Sequence, residues 1–195
     1  MFAKKLAIAA ALLGATAAHA TTVFSDDFDA DVLLLNSASF LGGWTVTGGG
    51  TVDTIGPGLY DVFPGNGHYI DLDGSNGATG LFSKALTATA GMTYTATFQL
   101  AGNHRGYADD TVAVNFGSAS GSYTLSSADA FGTYSLSFTA ASSGPFSLSF
   151  KNSGGDYVGA LLDNVHVTAV PEPATYGMLL GGLGLLGAVA RRRKG

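Results

Sequence analysis

Cysteine is missing from all 195 residues. A disulfide framework, a zinc–thiolate centre, an iron–sulfur cluster and thiol chemistry are therefore excluded. Glutamate is nearly missing too: Glu172 is the only one, so a glycosidase-type acid pair would have to be built from Asp alone. Cations are scarce in the middle of the chain. Between Thr21 and Val170 stand only Lys84, Arg105 and Lys151 against thirteen Asp, a balance of −10 in a chain whose formal charge is −5. Such a surface argues against a nucleic-acid partner, which needs a basic footprint. No G-x-S-x-G, H-E-x-x-H or Walker loop occurs, and His68, His104 and His166 lack metal-ligand spacing. Ser, His and Asp are all present, but their spacing proposes no triad.

What is there falls into three parts. Residues 1–20 read as a signal peptide: Lys4 and Lys5, an apolar run from Leu6 to Ala18, then Ala18-His19-Ala20 as an A-x-A site. Cleavage by signal peptidase after Ala20 would leave Thr21 first, outside the cytoplasm. At the other end, Pro171-Glu172-Pro173 precede an apolar stretch, 174–190, and Arg191, Arg192, Arg193 and Lys194 close it. That stretch is expected to be a membrane-spanning helix of about 25 Å with its basic end on the cytoplasmic side. The prolines hold the preceding strip extended, a form a processing protease can grip.

Residues 171–195 resemble the PEP-CTERM sorting signal, a tail that some collections label an ice-binding protein C-terminal domain. The resemblance implies a Gram-negative bacterium whose exosortase-type membrane protease cuts near Pro171-Glu172-Pro173 and recognises the Arg191–Arg193 cluster. It also implies release or display at the cell surface, in extracellular polysaccharide or biofilm matrix. A plain C-terminal anchor is the alternative.

Residues 21–170 carry period-2 alternation in several places. Met92, Tyr94, Ala96, Phe98 and Leu100 alternate with Thr93, Thr95, Thr97 and Gln99, and the same pattern recurs over 111–116, 133–139 and 146–151. Each such segment has one apolar face and one face of small polar residues, as in a sheet packed on one side. Further strands are expected at 23–28, 44–47, 51–55, 68–73, 80–86 and 161–169. Ten short strands separated by Gly, Asn, Asp and Ser clusters predict an all-β fold, a two-sheet antiparallel jelly-roll sandwich. Trp44 is expected in its core.

Strict alternation puts Asp163 on one face with Leu161, Val165 and Val167. A carboxylate there needs a partner, either backbone N–H groups or a metal ion. Asp71 and Asp73 share a face with Tyr69 and read as solvated acids leading into the turn 74–80. The densest polar loop, Asn103 to Asp110, offers Asn103, Arg105, Tyr107 and Asp109 for hydrogen bonds to sugar hydroxyls and stacking on a sugar ring. Together with Asp71 and Asp73 they form a candidate ligand site; the other reading is an Arg105 ion pair with Asp109 or Asp110 that ties the loop.

Asp27-Phe28-Asp29, Trp44, Tyr69–Gly74 and Leu161-Leu162-Asp163-Asn164-Val165 make this middle part similar to the galactose-binding-like jelly roll of carbohydrate-binding modules. The resemblance implies a structural Ca2+ held by Asp29 and Asp163, with backbone carbonyls completing the shell. It implies a non-catalytic domain that binds or structures extracellular polysaccharide. A secreted carbohydrate-active hydrolase is the alternative, and an ice-binding or purely structural surface protein is a second, prompted by Thr87, Thr89, Thr93, Thr95 and Thr97.

Overall fold

A computed structural model describes residues 19–172 and 175–192. The signal peptide expected over 1–20 lies almost wholly outside these, as do Pro173 and Arg193. The chain forms twelve strands: β1 (Thr21–Asp26), β2 (Leu34–Ser37), β3 (Thr45–Thr47), β4 (Val52–Ile55), β5 (Tyr69–Asp71), β6 (Leu81–Ala88), β7 (Met92–Ala101), β8 (Asp110–Phe116), β9 (Ala119–Leu125), β10 (Gly132–Thr139), β11 (Gly144–Ser153) and β12 (Leu161–Pro171). A seven-stranded sheet runs β10-β7-β12-β5-β4-β2, with β1 added beside β12; a five-stranded sheet runs β3-β6-β11-β8-β9. All named strand pairs are antiparallel. The all-β sandwich expected from the alternation is present, with β2 and β9 added to the expected strands.

The inner faces meet in one core of Phe28, Trp44, Phe82, Phe98, Phe116, Phe150 and their aliphatic neighbours. Trp44 stacks on Phe82 with ring centroids 4.4 Å apart, and its indole N–H donates to Asp26 Oδ2 at 2.9 Å. The indole thus satisfies its one polar atom while burying its rings. A smaller cluster of Ile55, Tyr69, Ala101 and Leu161 lies beneath Val62, Phe63 and Phe131.

Strand β12 is central. It pairs with β7 along its length, and on its other side with β5 at Leu161 and Leu162, then with β1 from Val165 to Ala169. Where the partner changes, the register against β7 slips between Asp163 and His166, and Asn164 takes a left-handed φ of 48°. One extra residue in a strand moves every later side chain to the other face. Leu162, Val165 and Val167 consequently enter the main core, while Leu161 belongs to the smaller cluster. Asp163 therefore does not share the face of Val165 and Val167, as strict alternation had placed it.

Helix α1 (Thr175–Arg192) belongs to a unit separate from 20–171. It covers 175–190 of the expected span 174–190. Among the described residues, however, no helix is long and apolar enough to cross a membrane. Gly177, Gly181, Gly182, Gly184 and Gly187 dilute the apolar run, and Arg191 and Arg192 fall inside the helix rather than after it.

Candidate functional site

At the end of the sandwich where β5, β7 and β11 finish, three carboxylates are sealed from solvent. Asp71 and Asp73 are 1% and 0% exposed, and Asp110 is buried with them. This corrects the reading of Asp71 and Asp73 as solvated. Asp71 Oδ1 accepts from the backbone N–H groups of Asp73 (3.0 Å) and Gly159 (2.8 Å), and Oδ2 pairs with Arg105. Burial pushes the Asp71 carboxyl up to about 7, while Arg105 and the two N–H groups pull the other way. Asp73 Oδ2 accepts from the N–H of Asp156 at 3.2 Å, and its carboxyl is also raised by burial. Asp110 receives the side-chain amides of Asn103 (3.0 Å) and Asn152 (2.9 Å), with burial again raising its carboxyl.

These acids tie three loops together. Asp71 leads into the turn before β6, Arg105 belongs to the loop before β8, and Asp156 and Gly159 to the loop before β12. Asn103 is not available to a ligand. It is fully buried, accepts from Arg105 N–H (3.1 Å) and Ser127 Oγ (2.6 Å), and donates to Ala108 O (3.1 Å) as well as Asp110. Arg105 pairs with neither Asp109 nor Asp110, contrary to the local ion-pair reading; its Nε donates to Asn103 O and its head reaches Asp71. Tyr107 is half exposed and Asp109 exposed. Sequence reasoning missed Asp156 and Tyr157. Tyr157 is 57% exposed, with a left-handed φ of 72° and its ring against Gly77. An aromatic shortly after the Gly154-Gly155 turn was the available signal.

Asp29 and Asp163, expected to hold a metal ion, have partners of their own. Asp163 is 1% exposed and accepts from Asn66 Nδ2 and from its neighbour Asn164 N–H, both at 2.6 Å. Burial pushes its carboxyl up to about 7, opposed by those two donors and reinforced by the charges of Asp29 and Asp27. Asp29 Oδ1 accepts from His68 N–H at 2.7 Å, and the carboxylate presses on Gly67, where a Cβ would collide with it. Asp29 and Asp163 are thus electrostatic neighbours. Among the described residues no group of three His, Asp or Glu converges on one point. Two carboxylates and the Asn66 amide form an all-oxygen set once that amide turns over. Such a set fits a hard cation whose remaining ligands are carbonyls and water.

Two other surfaces complete the molecule. Thr93 with Thr139, and Thr95 with Ser137, hydrogen-bond across β7 and β10 at 2.8 Å, so this hydroxyl face satisfies itself. A shallow groove of about 430 Å³, lined by Ala88, Gly117, Phe138, Ala140, Pro145 and Phe146 among others, gathers none of the acids, nor Asn103 or Arg105.

Comparison with known proteins gives two family matches. The PEP-CTERM protein-sorting motif matches residues 169–194, and the family described as protein of unknown function (DUF642) matches residues 25–168. No curated protein matches. Among solved structures, the CBM22-1 xylan-binding domain of Paenibacillus barcinonensis Xyn10C is 15% identical with a TM-score of 0.50, covering 80% of this chain and 99% of that one. The K3 adhesin domain of Lys-gingipain from Porphyromonas gingivalis is also 15% identical, with a TM-score of 0.53 and coverages of 76% and 99%. An arabinose-bound GH51 α-L-arabinofuranosidase is 11% identical with a TM-score of 0.51; the match covers 76% of this chain but 26% of that enzyme. At these identities the likeness shows the jelly-roll fold.

Proposed function

The chain belongs to the DUF642 family, and on that premise we propose that it is an exported, non-catalytic surface or matrix protein whose sandwich binds extracellular polysaccharide. Export through an exosortase-type pathway is supported by the sorting motif at 169–194. Carbohydrate binding is supported by one observation above all. Tyr107 and Tyr157 stand exposed on two loops that the buried Asp71 and Asp73 tie down, and the Tyr107 loop also carries the Arg105 guanidinium fixed by Asp71. Flat aromatic faces and an anchored guanidinium on rigid loops suit a ring with many hydroxyls. The hydrolase alternative needs an accessible proton donor, and Asp71, raised to about 7, is sealed behind Arg105. A structural calcium at Asp29 and Asp163 belongs to the same reading, supported by their adjacency.

A glycan-array screen with xylans, arabinans and acidic exopolysaccharides tests the proposal. Binding that is lost in a Tyr107→Ala/Tyr157→Ala variant supports it. No binding to any polysaccharide, or binding unchanged in that variant, overturns it.

A further inference from the structure

Asp73, Asp110 and Asn152 converge on one small space beside Gly154. A Cβ built on Gly154 would lie 2.9 Å from Asn152 Nδ2, 3.0 Å from Asp73 Oδ2 and 3.5 Å from Asp110 Oδ1. All three side chains are buried, at 0%, 3% and 1% exposure for Asp73, Asp110 and Asn152. Two of their oxygens, Asp73 Oδ1 and Asn152 Oδ1, have no hydrogen-bond partner. An orphaned buried oxygen costs free energy, and a buried carboxylate without a counter-charge costs more.

No cation of the sandwich compensates these acids. Arg105 is committed to Asp71, Lys84 to Gly42 O and Lys151 to Thr79. Asp156, on the adjoining exposed loop, adds a further negative charge that both Asp73 and Asp110 feel. The available donors are all oxygens: two carboxylates and an amide that presents Oδ1 when it turns over. That set selects a hard cation over zinc or copper. Gly154 is exposed, so an ion has a way in, and its missing side chain keeps the space open.

We propose that Asp73, Asp110 and Asn152 hold a calcium ion beside Gly154, distinct from any ion at Asp29 and Asp163. The ion pins the loop before β12 to the ends of β8 and β11, the end of the sandwich that carries Tyr107 and Tyr157. It supplies the charge that Arg105 supplies to Asp71.

The test counts calcium bound to the full chain, purified in detergent, stripped with chelator and titrated with CaCl2, by calorimetry and native mass spectrometry. The expected result is two ions for the wild type, one for Asp163→Asn, one for Asp110→Asn and none for the double variant. Gly154→Ala places a methyl group in the space while keeping every carboxylate, and should bind one ion. Its far-ultraviolet circular dichroism in chelator should match the wild type, which separates eviction from misfolding. A wild type that binds a single ion lost in Asp163→Asn overturns this site and leaves the other standing. A single ion lost in Asp110→Asn upholds this site and removes the other. Stoichiometry unchanged in both Asp110→Asn and Gly154→Ala also overturns it.

Discussion

Arg105 and Asp71 lie 34 residues apart in sequence and form an ion pair at the end of the sandwich, the carboxylate buried and the guanidinium at its edge. The pair does more than neutralise a charge. Asp71 also accepts backbone N–H groups from Asp73 and Gly159, so one carboxylate ties three loops together, two of which present the exposed tyrosines.

Arg105→Gln should therefore destabilise the protein by roughly 3 kcal/mol, the usual cost of stranding one member of a buried pair. Asp71→Asn in the same background removes the stranded charge while keeping an acceptor, and should recover part of that loss. Urea unfolding of the two variants and the wild type measures both. Equal stability of Arg105→Gln and wild type would show that the pair is idle.

For any polysaccharide that the wild type retains, Tyr107→Ala and Tyr157→Ala should each weaken binding about tenfold, equivalent to 1.4 kcal/mol of lost stacking. Each should change unfolding stability by less than about 0.5 kcal/mol, because both side chains are about half exposed and lie outside the core clusters. Affinity electrophoresis in polysaccharide-containing gels reads the first effect and urea titration the second. A large stability loss with unchanged mobility would assign the tyrosines to packing.

With calcium removed, acid should stabilise the protein. The folded chain holds a proton on Asp163 up to about pH 7, whereas unfolded Asp releases it near 3.8. Between these values the folded state binds more protons, so stability is highest below the lower value and falls as pH rises through the upper one. Melting temperature in EDTA should drop from pH 5 to pH 7.5. Calcium should reverse that trend by binding the ionised carboxylates, contributing about 2.7 kcal/mol for a site at 100 times its Kd. Melting curves with and without EDTA decide, and a chelated protein that gains stability from pH 5 to pH 7.5 contradicts the assignment.

Deleting Pro171-Glu172-Pro173 while keeping 174–194 should leave the tail attached in the native host, since the extended strip that a protease would grip is gone. The wild type should yield a form ending close to Val170. Intact-mass spectrometry of both decides it, and a wild type that still ends at Gly195 removes the processing role.

Much of the fold was legible because β7, β10 and β11 alternate large apolar with small polar residues over their whole length. Strand β9 was not, because Ala119, Gly121 and the serines between them give it little apolar contrast; only Tyr123 and Leu125 mark its inner face. Strand β2 has two adjacent leucines and no alternation. Asp163 was recognised as buried and its face misplaced, since the left-handed turn at Asn164 breaks the period that the inference relied on. Asp71 and Asp73 were the hardest to read. Asp71 and Asp73 look solvated because nearly every donor that seals them arrives from distant chain: Arg105, Asp156 and Gly159. Local pattern carries no trace of such partners.

The placement of β12 has a mechanical consequence. A pull on the tail after Pro171 acts along a strand flanked by β7 on one side and by β1 and β5 on the other. The hydrogen bonds of those ladders lie across the direction of pull and share the load, so several must break together, whereas an edge strand peeled from its end yields one bond at a time. A domain tethered by this end would resist the drag of a moving matrix without the disulfides that other exported proteins use to stiffen themselves.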